Sequence, residues 1–216
     1  MRKNGLDLRV LLSLLVLVIV AGVVAVVAIG GQSGEDAKRE QALAQHFDAA
    51  EVLEPPKLAP ALALRNYLGQ PVNIDSYKGK VVLVTFLYTT CPDVCPLIAS
   101  DLRVALNQMG PAEAAKVQII AVSVDPRADT PRSVAAFLAR HEMTGRMQYL
   151  IGSAKELGRV WKAWGVGSEQ DAEQPQFVNH TGLVYGITAS GKRLTLYASS
   201  FQPSEIAHDV PLLAAR

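Results

Sequence analysis

The chain is poor in cysteine, since Cys91 and Cys95 are the only two among 216 residues. Two cysteines are too few for a disulfide framework, and a domain of this size builds a hydrophobic core without one. An excess of one charge is also lacking, because 21 basic and 20 acidic residues leave a net charge of +1. Nucleic acid therefore has no electrostatic basis for binding, and we expect no such partner. The cysteine pair is expected to be reactive or to bind metal.

Charge is absent from the segment Val10 to Ile29, in which only Ser13 and Gly22 interrupt an apolar pattern. As a helix, its 20 residues span about 30 Å, the thickness of a bilayer's hydrocarbon core. The segment therefore predicts a transmembrane helix. Basic residues outnumber the single Asp7 ahead of it, so the N-terminus is expected in the cytoplasm and the following domain across the membrane.

A cleaved signal peptide is the competing interpretation, because Ala25 to Ala28 offers small residues. The apolar region of a signal peptide is normally about 7–15 residues, shorter than this segment, so we favour a retained anchor.

No mitochondrial presequence is recognisable, which favours a bacterial inner membrane with the domain in the periplasm. We divide the chain into a cytoplasmic tip and anchor (1–31), a tether (32–57) that ends near Pro55 and Pro56, and a soluble domain (58–216).

The soluble domain alternates predicted strands with predicted helices. The all-apolar strand Val81 to Leu87 is typical of a sheet covered on both faces. The other predicted strands are Leu62 to Leu64, Val72 to Ile74, Val117 to Val124 and Gln148 to Ile151. Val178 and Leu183 to Thr188 are also predicted as strands, and they are expected to pair with Leu194 to Ala198. The predicted helices begin near Pro96, at Pro131 with Thr130 as cap, at Ser153 and at Pro203, and Glu169 to Gln174 is expected to be a solvated loop. This order predicts the α/β class, with a thioredoxin-like mixed sheet flanked by helices and a reactive loop after a central strand.

Cys91 and Cys95 follow that central strand directly. On a first helical turn and the loop before it, their Cα atoms would lie about 6 Å apart, within the range of a disulfide. The same pair can clamp a soft or borderline ion such as Cu(I) or Zn(II). A helix N-terminus would favour the thiolate, which binds metal and attacks disulfides. In an oxidising compartment the pair would drift to the disulfide unless a metal or reductant protects it.

Two sulfurs leave a metal undercoordinated, so a third ligand is sought among the four histidines. His180 has the most suggestive context, a polar interruption between two strand-like runs, whereas His46, His141 and His208 are expected at the surface. Asp93 is expected to cap the following helix, with an approach to Cu(II) as the alternative. Asp125 is expected to organise an Asp-Pro turn, with support of a metal ligand as the alternative.

These residues resemble the Sco/SenC family of membrane-anchored copper chaperones for cytochrome c oxidase assembly. The resemblance rests on four stretches that cover most of the domain: Lys78 to Val84, Tyr88-Thr89-Thr90-Cys91-Pro92-Asp93-Val94-Cys95-Pro96, Ser123-Val124-Asp125-Pro126-Arg127-Ala128-Asp129-Thr130-Pro131, and His180 before a strand. It implies that Cys91, Cys95 and His180 bind one copper ion, as Cu(I) or Cu(II). It further implies delivery to the copper-bearing subunit of cytochrome c oxidase, with other periplasmic copper carriers as further partners.

The chain departs from the family beside two of these ligands. Asn179 stands where an aspartate often precedes the histidine, and Thr90 where a histidine often precedes the first cysteine. The copper affinity or redox poise of this protein is therefore expected to differ from that of other family members, while the three proposed ligands are retained.

Two other functions compete with a metallochaperone, which is not an enzyme. A thiol-disulfide reductase would use Cys91 to attack and Cys95 to resolve, acting on the cysteines of the oxidase copper site. Such an enzyme has no need of a distant imidazole, so His180 discriminates between the two. A peroxidase would need a threonine three residues before Cys91, where the chain has Tyr88.

Overall fold

The computed structural model describes the backbone of residues 46–170, 178–180 and 182–216, and the side chains of residues 46–167 and 182–216. The predicted anchor and most of the predicted tether lie outside these ranges. In the described part of the chain, no helix combines the length and apolar character needed to cross a bilayer.

Strands and helices alternate along the described chain. The strands are β1 (Glu51–Leu58), β2 (Ala63–Asn66), β3 (Pro71–Asn73), β4 (Val81–Leu87), β5 (Val117–Ser123), β6 (Met147–Ile151), β7 (Ser168–Gln170), β8 (Val178–His180), β9 (Leu183–Ile187) and β10 (Lys192–Ala198). The helices are α1 (Val94–Gln108), α2 (Gly110–Ala114), α3 (Pro131–Arg140), α4 (Ala154–Trp164) and α5 (Pro203–Ala214), with a short 3-10 helix at Ile74–Tyr77.

One mixed sheet forms the centre of the domain, in the strand order β1-β10-β9-β4-β5-β6-β2-β3. The strands β4, β5 and β6 run parallel, and the remaining neighbours pair antiparallel. Every residue of β4 is buried, as expected for a strand whose two faces are both covered. The predicted mixed α/β sheet with β4 near its middle is confirmed.

Local sequence signals set the helix boundaries. The hydroxyl of Thr130 accepts a hydrogen bond from the Ser133 backbone N–H at 3.2 Å and begins α3. Ser153 and Glu156 form the equivalent capping box before α4. Gly165 ends α4 in the left-handed conformation, at φ 69°, which glycine adopts without steric penalty.

The sheet begins earlier than the sequence indicated. Strand β1 lies mostly within the segment assigned to the tether, and it pairs antiparallel with β10 from Glu51 opposite Leu196 to Leu58 opposite Lys192. Its register is irregular between Val52 and Lys57, where the two prolines stand. An edge strand tolerates proline because only one of its sides needs backbone donors, so Pro55 and Pro56 are compatible with a strand.

A second, two-stranded ribbon was not expected. Strand β7 pairs antiparallel with β8, with Ser168 opposite His180 and Gln170 opposite Val178. Residues 169–170 are therefore strand rather than the predicted loop, and Val178 pairs with Gln170 rather than with β10. Short antiparallel pairs of this kind have little apolar periodicity, which is why the sequence pattern missed them.

The start of the described domain is fixed to its last helix through one buried carboxylate. Asp209 of α5 is 0% exposed and accepts hydrogen bonds from the backbone N–H groups of Asp48, at 2.8 Å, and Ala49, at 3.0 Å. The Tyr197 hydroxyl donates to the same carboxylate at 2.9 Å. These contacts hold the first residues of the compact unit Phe47–Arg216.

Candidate metal centre

The two cysteines lie where β4 ends and α1 begins. Strand β4 ends at Leu87, the Cys91 backbone N–H donates to the Tyr88 carbonyl at 3.3 Å, and α1 begins at Val94. Cys91 therefore lies in the loop and Cys95 in the first helical turn, as the sequence predicted. Both side chains are buried, with 8% of Cys91 and 0% of Cys95 exposed, and both are free thiols.

The sulfur of Cys91 caps α1. The backbone N–H of Cys95 donates to Cys91 Sγ at 3.4 Å, so a helix donor that would otherwise be unpaired points at the sulfur. Helix N-terminal amides stabilise negative charge, and this contact favours the thiolate of Cys91.

Asp93 does not form the predicted cap. It occupies the N-cap position, but its carboxylate makes no capping hydrogen bond. A capping side chain normally reaches the second or third helical N–H. Cys91 already accepts from the second, that of Cys95, and the third residue is Pro96, which has no N–H. The carboxylate is left on the exposed rim of the loop.

The two thiols differ in acidity. The hydrogen bond from the Cys95 thiol is the largest influence on Cys91, and together with the backbone N–H groups of Asp93 and Cys95 it outweighs burial and lowers the pKa of Cys91 to about 6. The same hydrogen bond, burial and the nearby negative charge of Cys91 raise the pKa of Cys95 well above its usual range. At neutral pH the pair therefore holds one thiolate and one thiol that share a proton.

Asp129 lies behind the cysteine loop and was assigned no role from the sequence. It is 4% exposed, accepts from the Thr89 backbone N–H at 2.8 Å, and accepts from the Tyr149 hydroxyl at 3.0 Å. Burial raises the pKa of Asp129, and its charge contributes to the raised pKa of Cys95. In the sequence, Asp129 stands out by its position four residues after Asp125 and directly before the Thr130 cap, although this position does not indicate that it is buried.

Asp125 organises its turn, as the favoured prediction stated. Its carboxylate accepts from the backbone N–H groups of Arg127, at 3.1 Å, and Ala128, at 3.4 Å. The Arg127 side chain lies 3.5 Å from the same oxygen. These contacts fix the loop after β5, the strand beside β4.

The histidines lie in different surroundings. His141 ends α3 with its ring 4.6 Å from that of Phe137, and burial lowers the pKa of its imidazole. His208 is partly exposed, with its Nδ1 2.9 Å from Oδ1 of the buried Asp209 and 3.5 Å from Oδ2 of the exposed Asp48. His46 is exposed. The backbone of His180 lies in β8, and its imidazole lies outside the described side chains.

Gly182 connects the His180 segment to the cysteine loop. A Cβ placed on Gly182 would lie 3.7 Å from Val94 Cγ2 and 3.2 Å from Ser199 Cβ. Gly182 therefore packs against the residue that stands directly before Cys95. Since consecutive Cα atoms are about 3.8 Å apart, the His180 Cα lies within about 7.6 Å of the Gly182 Cα.

The arrangement presents two sulfur donors on one short turn at the carboxyl end of a central strand. Sulfur favours soft ions such as Cu(I), and a pair four residues apart also suits disulfide exchange. The carboxylates that touch this loop are engaged in hydrogen bonds or lie on its rim. Fold and site together define a thioredoxin-like α/β protein with a C-x-x-x-C pair at the end of its central strand.

The SCO1/SenC family model matches residues 51–215, and the chain belongs to this family. Among curated relatives, the mitochondrial SCO1 homologue of Mus musculus is 25% identical over 159 residues, which cover 72% of this chain and 55% of the mouse protein. The chain thus spans little more than half the length of that relative.

Solved structures of this family match most of the domain. The copper-bound ScoI of Bradyrhizobium japonicum is 30% identical, with a TM-score of 0.62, and the match covers 71% of this chain and 98% of that one. BsSco, a Sco family cytochrome c oxidase assembly protein in which a disulfide switch was identified, is 25% identical with a TM-score of 0.63 over 76% of this chain and 98% of its own. Copper is thus a metal that a protein of this family binds.

Proposed function

We propose that the protein is a membrane-anchored copper chaperone that binds one copper ion through Cys91, Cys95 and His180 and delivers it to the binuclear copper site of cytochrome c oxidase. The observation that carries the proposal is the cysteine loop itself, in a chain of the SCO1/SenC family. It offers one thiolate with a pKa of about 6 and a second, fully buried sulfur one helical turn away.

The proposal for His180 rests on chain geometry. Gly182 packs against Val94, the first residue of α1 and the neighbour of Cys95, and His180 stands two residues before Gly182. We therefore propose its imidazole as the third ligand, beside the two sulfurs, of a three-coordinate site. Three protein ligands leave one position open for a sulfur of the acceptor, which transfer by ligand exchange requires.

The proposed location follows from the N-terminal sequence. The uncharged segment Val10 to Ile29 would anchor the chain in a bacterial inner membrane and hold residues 47–216 in the periplasm. Other periplasmic copper carriers would load it there.

A chelator competition under anaerobic conditions tests the ligands. The reduced full-length protein in detergent is titrated with Cu(I) against a chelator of known affinity, and with Cu(II) by absorption spectroscopy. Cys91→Ser is expected to abolish tight binding, and His180→Ala is expected to weaken Cu(II) binding by at least roughly tenfold, because loss of a group that only supports a metal ligand already costs about 10- to 100-fold.

His46→Ala is the matched control, because it removes an exposed histidine outside the proposed site. Its copper affinity is expected to equal that of the wild type. Unchanged Cu(II) affinity and spectra in His180→Ala would remove that residue from the ligand set. Tight binding retained in Cys91→Ser would reject the copper site.

A thiol-disulfide reductase is the second candidate, favoured by the divided acidity of the two thiols. The Cys91 thiolate would attack one sulfur of a target disulfide and release the other as a thiolate. Cys95 would then lose its proton and attack Cys91, which releases the reduced target and leaves a Cys91–Cys95 disulfide, two electrons having passed to the target. In Cys95→Ser the mixed disulfide would accumulate on Cys91, which mass spectrometry detects.

A further inference from the structure

A basic groove borders the cysteine loop. It has a volume of about 360 Å³ and lies between the loop residues Thr89 and Thr90 and one face of α3 along its whole length, where Thr130, Arg132, Ser133, Ala136 and Arg140 line it. Thr90 stands directly before Cys91, so the groove opens beside the first proposed copper ligand. Among the described residues, no carboxylate side chain lines it.

The two arginines form a spaced pair. Arg132, Ala136 and Arg140 succeed one another at intervals of four along α3, so they share one face of the helix, and all three are exposed. Eight residues of helix separate the guanidinium-bearing positions by about 12 Å. The small side chain of Ala136 leaves the space between them open.

Neither guanidinium is neutralised within the described structure. The ion pairs there involve other residues, and Arg132 and Arg140 take part in none of them. The buried carboxylate of Asp129, which precedes the Thr130 cap of α3, is bound by Thr89 and Tyr149. The groove therefore keeps two positive charges, unpaired within the described structure, beside the loop that carries Cys91.

We propose that this groove docks an acidic, extended segment of the protein that exchanges copper with the chain, a proposal that rests on the chaperone function above. Carboxylates four residues apart in an extended segment lie on the same face and, at about 3.3 Å per residue, about 13 Å apart, which matches the distance between the two arginines. Arginine recognises carboxylates through paired hydrogen bonds, and opposite charges also speed encounter. A membrane surface is a poorer match, because anionic lipid recognition typically uses clusters of about four to eight basic residues.

Two sets of variants test the groove without touching the copper ligands. Ala136→Glu places a carboxylate between the arginines, and Arg132→Glu/Arg140→Glu reverses their charge. Ala135→Glu is the control for the first, since it makes the same change on an exposed neighbouring position outside the groove. Lys155→Glu/Lys162→Glu is the control for the second, with equal charge change on exposed positions of α4.

The probe is the soluble copper-bearing domain of the oxidase subunit, in its apo form. Each full-length variant, copper-loaded in detergent, is measured for Kd by calorimetry at low and physiological salt and for the rate of copper transfer. Both groove variants are expected to raise Kd and slow transfer by about tenfold at low salt, and both controls to change them by less than about twofold.

Copper affinity, measured in parallel by chelator competition, separates the two proposals. A wild type without copper affinity rejects the chaperone function. With copper affinity intact, an unchanged Kd in the groove variants overturns the docking surface, as does equal weakening by groove and control variants. Weakened binding to anionic phospholipid vesicles with unchanged binding to the oxidase domain would assign the groove to the membrane and also overturn the proposal.

Discussion

The backbone N–H of Cys95 donates to Sγ of Cys91 at 3.4 Å, so one proposed copper ligand caps the helix that carries the other. The Cys95 thiol supplies a second hydrogen bond to the same sulfur, and this bond is the main reason for the low pKa of Cys91. A soft metal that binds both sulfurs must therefore displace the shared proton from Cys95. Copper affinity and the acidity of the pair are coupled by that proton.

Replacing Cys95 by alanine is expected to raise the pKa of Cys91 from about 6 toward its ordinary value of 9.0. The substitution removes the thiol donor, which is the largest stabilising influence on the thiolate, and leaves the backbone donors in place. Because only the thiolate reacts, the pH at which alkylation by iodoacetamide reaches half its maximal rate reports this pKa.

Cys91→Ala provides the control for that experiment, because it leaves the fully buried Cys95, whose raised pKa predicts slow alkylation at neutral pH. An unchanged midpoint in Cys95→Ala would show that the backbone amides, not the Cys95 thiol, set the acidity of Cys91.

Tyr149→Phe is expected to destabilise the protein by about 1–3 kcal/mol, the usual effect of leaving a buried acceptor without its donor. The Tyr149 hydroxyl is one of the donors to the buried Asp129 carboxylate. The free energy of unfolding in urea, measured at neutral pH under reducing conditions, gives the effect. Tyr67→Phe is the control, since the Tyr67 hydroxyl forms no hydrogen bond with a described residue, and equal losses in both variants would contradict the role of Asp129.

Asp129→Asn is expected to change how stability depends on pH. Burial raises the pKa of Asp129 above its ordinary value of 3.8, so the folded state holds this proton more tightly than the unfolded chain does. The resulting stabilisation is complete below the ordinary pKa and is lost as the pH rises through the folded-state pKa. Asparagine does not titrate and lacks this contribution.

The measurement is the free energy of unfolding of both proteins at several pH values from about 4 to 7. The advantage of the wild type over Asp129→Asn should shrink as the pH rises. A difference that stays constant across this range would show that the pKa of Asp129 is ordinary in the folded protein.

The features that the sequence predicted well depend on neighbouring residues. The all-apolar run of Val81 to Leu87 identifies a strand buried on both faces, and the Thr130 cap with Pro131 identifies the start of α3, because each signal acts within a few residues. The position of Cys91 in a loop and Cys95 in a helix follows from the same local order. These signals placed the cysteine pair correctly.

The features that the sequence missed depend on distant residues or on the absence of a donor. Nothing local marks Asp129 as buried, since Thr89 and Tyr149 reach it from other elements. Asp93 forms no cap in part because Pro96 has no backbone N–H to donate to it. That proline is visible in the sequence, but its effect on the cap can be inferred only when the helix is known to begin at Val94. Strand β1 is recognisable only by its partner β10.

Asp209→Ala is expected to destabilise the domain by about 3 kcal/mol or more, because one buried and two partly buried donors lose their shared acceptor. The backbone N–H groups of Asp48 and Ala49 and the Tyr197 hydroxyl all donate to this carboxylate. Urea unfolding gives the loss, and hydrogen exchange at residues 48–49 shows whether the start of the domain detaches. Asp75→Ala, at an exposed surface ion pair, is the control and should change stability by less than about 1 kcal/mol.

Gly182→Ala is expected to weaken Cu(II) binding by roughly tenfold if His180 is a ligand, because the distance between the imidazole and the two sulfurs depends on this close contact. The added Cβ would lie 3.2 Å from Ser199 Cβ, a tight contact, and 3.7 Å from Val94 Cγ2, an ordinary one, so Gly182 and Ser199 must shift apart by a few tenths of an ångström. Ser199→Gly removes the tighter of these two contacts, and Gly182→Ala/Ser199→Gly should regain most of the lost affinity. The same chelator titration measures all three variants beside His180→Ala. Full affinity in Gly182→Ala, or no recovery in the double variant, would mean that the contact between Gly182 and the loop does not position a copper ligand.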